Sequence, residues 1–478
     1  MTFRAFIWLF MLQASINLQA DPVKLPDLGD SASSVVSLQQ EYQTGQSWMR
    51  AFYRQAKVAD DPLLYDYLHD LVQRLAVHSQ LEEKRFNLLV VDSKAFNAFA
   101  VPGNVVGINT GLFHYAETED QLAAVIGHEL AHLSQRHYAR SLDRQKNQSI
   151  ATLAGLLGSL LILASGDAEA GIAAVTATQA AAIDNQLKYS RIQEQEADRI
   201  GMQTLANAGM NPEAVAHMFQ HMLVVTRYRT DIRQYDFLLT HPLSDTRVAD
   251  AFNQARDYTR IPDQDSFNFH LMKARVILKD SQNPKTAIAL FRRESEDSKY
   301  TKASEYGLAL ALLADGQLQE AAKLIDQLYN EAPHQLAFAI AKVELLAAQG
   351  KLEEALALGQ QHLALSPTNY PLSVLTAKLL QEANQPAQAA QVLRRLVASG
   401  QPDTPNVWYA LAETEGLAGN ILQVYLARAE YYIRIGAFPQ AQKNLHLAEP
   451  LLQGDMQALS RLQMRLRSIE QLQQMQQF

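Results

Sequence analysis

The chain has 478 residues, which predicts two or three domains. It carries 42 Lys+Arg against 50 Asp+Glu, a formal net charge of −8, and this balance argues against a dedicated nucleic-acid binder, which displays a basic surface. It has no cysteine, so disulfides, thiolate zinc sites and cysteine nucleophiles are excluded, and any metal must be held by His and carboxylate side chains.

The first 20 residues have the pattern of an export signal. Arg4 supplies a positive charge, a mostly apolar run follows over 5–18, and Leu18-Gln19-Ala20 resembles a cleavage site. The run is short for a membrane span, which needs about 20 residues. We therefore expect cleavage after Ala20, with an N-terminal membrane anchor as the alternative. Residues 21–37, rich in Pro, Gly, Asp and Ser, are expected to be a linker.

A first domain is predicted over residues 38–260, mainly helical with one small sheet. Helical spacing dominates 38–84, and a capping box formed by Thr118 and Gln121 opens another helix. The apolar stretch 150–182 is interpreted as a buried hairpin, with a membrane-touching or lid segment as the alternative. The β-forming segments are Phe86–Val91, Ala98–Val101 and Val105–Asn109, the last two joined by a Pro-Gly-Asn turn.

A second domain is predicted over residues 265–478, where the chain becomes rich in Ala, Leu and Gln. Alanines recur every 34 residues, and Gly, Leu and Pro follow the same period. A period of 34 with small residues at helix contacts resembles the tetratricopeptide repeat, and we expect four to six imperfect repeats. The recurring positions are Ala287, Ala321, Ala355, Ala389, Gly316, Gly350, Leu318, Leu352, Pro333 and Pro367.

The sharpest chemical motif is His128-Glu129-Leu130-Ala131-His132. Residues i and i+4 of a helix share one face, so two imidazoles can reach one Zn²⁺. Glu129 lies about 100° around the helix from His128. It is placed to act as the general base that takes a proton from the attacking water without ligating the metal.

A catalytic zinc needs a third protein ligand, and the helix predicted around 189–208 offers one. We favour Glu194 as that ligand, with Asp198 one turn later reaching back to a ligand imidazole to orient it. Glu196 is the local competitor, but it points about 200° away from Glu194 on a helix. The alternative for each of these carboxylates is a solvated helix charge.

Four further residues have less specific signals. His241, fixed by Pro242, either lines the cleft as a transition-state donor, occupies the fourth position of the zinc, or is a surface histidine. Arg247, a candidate residue of the substrate cleft, is expected either to bind a carboxylate or carbonyl nearby or to pair on the surface. His137 lies nine residues after His128, about 180° around a continuous helix, and is expected to have no role, as is His114.

Taken in order, the 96–113 segment, the His128–His132 motif, the 189–198 segment and the His241-Pro242…Arg247 element resemble the gluzincin metallopeptidases that include HtpX and the CAAX prenyl proteases. Together with the export signal and the repeats, the whole chain is similar to the periplasmic members of that group. The resemblance implies zinc bound by His128, His132 and Glu194, with Glu129 as the base and His241 able to close the site as a fourth ligand.

The resemblance also implies partners and a location. It places the mature chain in the periplasm, with the repeats engaging the outer-membrane β-barrel assembly machinery and immature barrel proteins, including the lipopolysaccharide-export barrel. Peripheral membrane contact is an additional expectation for 150–182, which resembles the region covering the active site in that group.

The expected fold class is therefore mainly α: an α+β metalloprotease domain with a small sheet, followed by an all-α repeat solenoid. The expected activity is zinc-dependent hydrolysis of peptide bonds, with extended substrate pairing along Val105–Asn109 as an edge strand and with Asn104 and Val105 in the substrate cleft. One alternative is a non-proteolytic assembly chaperone or adaptor whose zinc site is mainly structural. Another is an integral membrane protease that uses the two apolar stretches.

Overall fold

The structure, a computed structural model, describes residues 36–144, 191–228, 236–259, 261, 266–297, 301–400 and 402–476. The predicted export signal and the apolar stretch 150–182 lie outside the described residues, as does nearly all of the predicted linker. Among the helices that are described, none combines the length and apolar character required to cross a membrane.

The first described helices are opened by local caps. In α1 (Leu38–Gln55) the side chains of Ser37 and Gln40 form a reciprocal capping box. In α2 (Pro62–His78) the Asp61 carboxylate accepts from the first backbone N–H groups, and proline occupies the first helical position. The buried face of α2 then packs into the main hydrophobic core.

Within the part of the chain that the structure describes, the sheet has three strands, β1 (Asn87–Val91), β2 (Ala98–Val101) and β3 (Val105–Asn109). Their order is β1-β3-β2, with β1 parallel and β2 antiparallel to β3. The chain reverses between β2 and β3 through Gly103 and Asn104, whose φ angles are +83° and +58°. The β3 segment, expected at the edge, is therefore the central strand, and that expectation is wrong.

Seven helices among the described residues complete the first domain around the sheet. Helix α4 (Glu119–Ser134) is buried along most of its length and packs against α6 (Arg191–Asn207), α7 (Ala214–Tyr228) and β2. A Cβ added to Gly201 of α6 would lie 3.0 Å from the Gly127 carbonyl carbon of α4, so two glycines allow the close approach of these helices. The helices are α3 (Leu112–Tyr115), α4 (Glu119–Ser134), α5 (His137–Arg144), α6 (Arg191–Asn207), α7 (Ala214–Tyr228), α8 (Asp236–Thr240) and α9 (Asp245–Ala255).

The second domain is a succession of helix pairs, each packed mainly against its neighbours. The turn inside a pair recurs every 34 residues at Gly316, Gly350 and Asn384, all with positive φ. The helices are α10 (Phe267–Asp280), α11 (Pro284–Asp297), α12 (Thr301–Ala314), α13 (Leu318–Glu331), α14 (Leu336–Ala348), α15 (Leu352–Leu365), α16 (Tyr370–Glu382), α17 (Pro386–Ala398), α18 (Pro405–Leu417), α19 (Ile421–Arg434), α20 (Phe438–Ala448) and α21 (Met456–Gln476).

The two domains share one hydrophobic core, which runs from α2 and the sheet into the first repeats. Across the junction, the rings of Phe113 and Phe269 stack with centroids 5.6 Å apart. The Arg275 guanidinium donates to the Asp61 carboxylate at 2.7 Å, so the residue that caps α2 also binds the array. The predicted fold class, mainly α with a small sheet and an all-α repeat region, is confirmed.

Candidate metal centre

Three separate stretches of chain bring four side chains to one buried point. Helix α4 carries His128 and His132 one turn apart, α6 carries Glu194 in its first turn, and His241 follows the end of α8. Nε2 of His128 lies 3.0 Å from Nε2 of His132 and 3.3 Å from Nδ1 of His241. That Nδ1 lies 3.0 Å from Oε1 of Glu194. One ligand atom from each of the four residues lies within 4.8 Å of all the others.

These donors fit a zinc ion. A tetrahedral zinc with bonds of about 2.0–2.1 Å separates its ligand atoms by about 3.4 Å, and the separations here include 3.0, 3.3 and 3.5 Å. Ring nitrogens and a carboxylate oxygen this close in a buried site need a cation or protons between them. Burial first, and neighbouring His128 second, lower the pKa of His132 well below its usual range, which favours the neutral imidazole that ligates metal.

The ring of His128 is oriented from behind by a carboxylate. Oδ1 of Asp198 lies 2.9 Å from Nδ1 of His128, so the opposite nitrogen, Nε2, faces the cluster. Burial by itself would raise the pKa of Asp198, but hydrogen bonds from His128 and Arg247 outweigh it and leave the pKa below its ordinary value. An ionised Asp198 therefore accepts the Nδ1–H of His128.

The Arg247 guanidinium binds groups of the protein itself. Its Nε and Nη2 donate to the two oxygens of Asp198 at 2.8 and 2.7 Å. Its Nη1 lies 2.8 Å from Oε2 of Glu194 and donates to the Pro242 carbonyl at 2.8 Å. Arg247 thus binds nearby carboxylates, one of the two roles expected for it, and these belong to the protein: its planar fork holds Asp198, Glu194 and the loop that carries His241.

Glu129 is buried beside the cluster, and only 1 % of it is exposed. Its Oε1 lies 3.5 Å from Nε2 of His241, and the Ala100 backbone reaches its carboxylate. Burial raises the pKa of Glu129 to about 8, against the opposing influence of His128. A carboxyl group of this kind can hold or release a proton near neutral pH, which is what a general base that later acts as an acid requires.

His137 was expected about 180° around a continuous helix from His128, and this expectation is wrong. Helix α4 ends at Ser134, and Arg136 adopts φ +48°, so α5 starts in a new direction. The chain thereby places His137, fully buried, with its Nδ1 2.9 Å from Nδ1 of His132. Its Nε2 lies 3.1 Å from Oε2 of Glu196. The predicted rotation of about 180° between His128 and His137 assumed one continuous helix through Arg136, and the helix does not continue there.

The substrate strand is also placed differently from the prediction. Val105 is fully buried in the central strand and faces no cleft. The Asn104 side chain donates to the Glu83 and Arg85 carbonyls, and Asn104 lines a small cavity together with Ala100 and His132. The Asn109 N–H donates to the Asn97 carbonyl. By antiparallel alternation, the backbone groups of Ala98 and Ala100 then point away from β3. The outer edge of β2, next to Glu129, takes the position expected for the β3 segment.

The structure also places three further residues, two that were considered from the sequence and one that was not. Glu196 faces His137 and Arg140 rather than the four ligands. His114 lies away from the cluster, with Nε2 2.7 Å from Oδ2 of Asp280 at the domain junction. Sequence reasoning missed Phe237, whose ring stacks on His241 at 4.5 Å and whose carbonyl accepts the His241 N–H. The sequence did contain a signal for the residue behind His132, because His137 is a third histidine only five positions after it.

Family models match both domains. The description "Peptidase family M48" applies to residues 62–255, and "Tetratricopeptide repeat" applies to residues 346–413. The first match contains every residue of the buried cluster, and the second falls within the helix pairs of the array.

Relatives match along most of the chain. The chain is 33% identical over 452 residues to the Beta-barrel assembly-enhancing protease of Escherichia coli (strain K12), covering 94% of this chain and 92% of that protein. It is 34% identical to the Putative beta-barrel assembly-enhancing protease of Vibrio cholerae, covering 86% and 85%. A shorter match, 30% identical and covering 35% and 31%, is to the Mitochondrial metalloendopeptidase OMA1 of Arabidopsis thaliana.

Proposed function

Since this chain belongs to peptidase family M48 and is a zinc metallopeptidase of the kind represented by the beta-barrel assembly-enhancing proteases, we propose that it is an endopeptidase of outer-membrane protein biogenesis. It degrades misassembled β-barrel proteins and promotes correct assembly of others. The observation that carries the proposal is the buried cluster of His128, His132 and Glu194 with Glu129 on the same helix. The predicted enzyme class and zinc cofactor are confirmed.

The proposed mechanism assigns a separate task to each side chain. His128, His132 and Glu194 would hold the zinc, which, when bound, would polarise the scissile carbonyl and activate water. Glu129 takes a proton from the attacking water and delivers it to the leaving amine, a role that suits its buried carboxyl group. Asp198 keeps the His128 ring in place through its Nδ1.

His241 supplies a means of control in this proposal. If all four donors bound the metal, its coordination shell would be closed, whereas a catalytic zinc keeps one position open. His241 also lies against Glu129, with Nε2 3.5 Å from its Oε1. We therefore assign this arrangement to a latent enzyme, which becomes active when the His241-Pro242 loop moves away.

Substrate recognition is assigned to the outer edge of β2. Among the described residues no strand pairs with this edge, and the Ala100 backbone lies next to Glu129. An extended segment that adds to the sheet here is recognised by its backbone more than by its side chains. This suits a protease whose substrates are barrel strands that have failed to pair.

The repeat domain is assigned to partner binding. A cavity of about 640 Å³ lies between the start of α2 and the helices α10, α12, α14 and α16. It is lined by both apolar and charged side chains, which suits a protein segment rather than nucleic acid. The proposed partners are the outer-membrane β-barrel assembly machinery and immature barrel proteins, including the lipopolysaccharide-export barrel.

We place the protein in the periplasm after its signal peptide is cleaved following Ala20. The protease domain then spans residues 38–260 and the repeat domain spans residues 265–478. The export pattern in the sequence and the similarity to beta-barrel assembly-enhancing proteases support this location. Peripheral contact of 150–182 with the membrane remains part of the proposal.

A second function, assembly chaperone without proteolysis, is favoured by one observation. The four donors form a closed shell, as in structural zinc sites. Under this alternative the zinc stabilises the fold, and the repeats carry the activity.

A Glu129→Gln variant distinguishes the two functions. We expect it to retain zinc, because Glu129 is not among the four clustered donors, and to cleave an unfolded β-barrel substrate about 10²–10⁴-fold more slowly. Metal analysis and gel-based cleavage measure the two effects, and barrel assembly in cells carrying the variant tests the chaperone role. Unchanged cleavage would eliminate Glu129 as the base. Because His241 is proposed to hold the enzyme latent, a His241→Ala variant is tested alongside, and absence of cleavage by both this variant and the unsubstituted protein, together with normal assembly, would leave the chaperone function.

A further inference from the structure

The two histidines of α4 are supported from behind in different ways. His128 contacts a carboxylate directly, since its Nδ1 lies 2.9 Å from Oδ1 of Asp198. His132 instead contacts another imidazole, with its Nδ1 2.9 Å from Nδ1 of His137. The second support has no counterpart in the mechanism assigned above, although His137 is fully buried.

The protons in this second chain of contacts can be assigned from the geometry. Nε2 of His132 faces the cluster, 3.5 Å from Oε1 of Glu194, so in a neutral ring Nδ1 carries the proton and donates to Nδ1 of His137. A His137 ring that accepts at Nδ1 carries its own proton on Nε2. That N–H then donates to Oε2 of Glu196 at 3.1 Å. Every nitrogen in the chain has one consistent role.

The carboxylate at the end of the chain is itself held in place. Nη1 of Arg140, one turn further along α5, donates to the same Oε2 of Glu196 at 3.0 Å. His137 and Arg140 thus converge on the same carboxylate oxygen of Glu196. The Gln193 side chain also donates to the His137 carbonyl at 2.9 Å, which joins α5 to α6 next to Glu194.

The backbone is strained where the chain brings His137 into this position. Arg136 is not a glycine, yet its φ is +48°. Its guanidinium donates to the Val36 carbonyl at 2.6 Å and to Oε1 of Glu41 at 3.2 Å, so contacts with α1 and the residues before it hold the turn. The turn is what separates α4 from α5 and directs His137 back to the metal site.

We propose that His137 is a positioning residue for zinc: it accepts the Nδ1–H of His132 and, anchored by Glu196, fixes the tautomer and orientation in which Nε2 of His132 ligates the metal. The inference rests on the assignment of His132 as a ligand in the proposed function. Residues that orient ligands in this way affect metal affinity by about 10–100-fold.

The test measures zinc affinity of the purified full-length chain by chelator competition, which needs no catalytic turnover. We expect His137→Leu, which removes both ring nitrogens at similar size, to weaken zinc binding by about 10–100-fold. His137→Asn keeps an acceptor near the Nδ1 position and is expected to restore most of the affinity. His137→Gln reaches toward Glu196 instead and is expected to stay weak. The visible spectrum of the cobalt-substituted protein should change for Leu and Gln more than for Asn.

Two controls keep the outcomes separable. His114→Leu removes a histidine that pairs with Asp280 away from the site, and its zinc affinity should be unchanged. His132→Ala should abolish binding, and retained binding there would refute the ligand assignment itself. Equal zinc affinity in the Asn and Gln variants, or an unaffected Leu variant, would overturn the positioning role alone. If the Leu variant fails to fold by circular dichroism, the comparison of Asn with Gln decides.

Discussion

The metal site and the repeat array are stabilised by contacts of different range. In the metal site, residues far apart in the chain meet with buried charges: His128 contacts His241, 113 positions later. In the array, side-chain contacts join neighbouring helices, as between Tyr329 and His362, 33 positions apart. A substitution at the site therefore disturbs several elements together, whereas one in the array is expected to act near its own helix pair.

The metal site and the repeat array also differ in the chemical groups that form their contacts. Around the zinc ligands, charged groups are almost fully buried and each depends on the others, as Arg247 depends on Asp198 and Glu194. Much of the array is packed by small and apolar side chains, with Ala321, Ala355 and Ala389 fully buried at the repeat period. Breaking a buried ion pair strongly destabilises the fold. The stability of a repeat array, in contrast, is a sum of local terms, so a substitution in one repeat changes it by a small step.

The largest effect is expected from Arg247→Met. Removing this guanidinium leaves the Asp198 and Glu194 carboxylates buried beside each other, and breaking a buried pair costs about 3–5 kcal/mol. We expect a large fall in the chemical-denaturation midpoint and loss of zinc from the purified protein. Arg292→Met in the array breaks the exposed pair with Glu320 and should change stability by about 1 kcal/mol or less. Comparable effects of the two variants would contradict the comparison.

An intermediate effect is expected at Glu430, where the array does contain a charge network. Burial would raise the pKa of Glu430, but Arg465 and Arg434 outweigh it and hold the pKa below its usual value. A lowered pKa means that the carboxylate stabilises the fold above the unfolded pKa, and that this contribution is lost as pH falls through the folded pKa. The denaturation midpoint of Glu430→Gln should therefore be lower than that of the unsubstituted protein at pH 7.

The difference in denaturation midpoint between Glu430→Gln and the unsubstituted protein should shrink as the pH falls below about 4.5, the ordinary pKa of a glutamate. Midpoints measured across that range check the sign, and Glu320→Gln, at an exposed pair, provides the control. A gap between the Glu430 variant and the unsubstituted protein that widens in acid would show that the network does not stabilise through an ionised Glu430.

The smallest effects are expected from a pair of glycine substitutions in the array. Gly350 has φ +77°, which an L-residue rarely adopts, so Gly350→Ala should destabilise by about 1 kcal/mol. Gly416 lies within helix α18, and an added Cβ would meet a Val424 methyl at an ordinary 3.8 Å. Gly416→Ala should stabilise by about 0.5–1 kcal/mol. Thermal denaturation of the two variants should show shifts of opposite sign, and shifts of the same sign would refute the turn assignment.

Much of the molecule follows from short-range patterns. The 34-residue period predicted the helix pairs, and the turn even persists at Asn384, where the repeat has no glycine but retains a positive φ. The i, i+4 spacing placed His128 and His132 on one helix face, and helical geometry separated Glu194 from Glu196. These features were predictable because each depends on backbone geometry over a few residues or on a repeating unit.

By itself, then, the sequence determined the helical class, the repeats, the type of metal and the residues able to bind it. Only the tertiary structure decided that β3 is central and β2 is the edge strand, that Arg247 binds carboxylates of the protein, and that His137 lies behind His132. Strand order is set by packing between segments distant in the chain, and the reversal at Arg136 is held by contacts with Glu41 and Val36 about a hundred residues earlier. No local pattern encodes such contacts, because their free energy appears only when the whole domain is assembled.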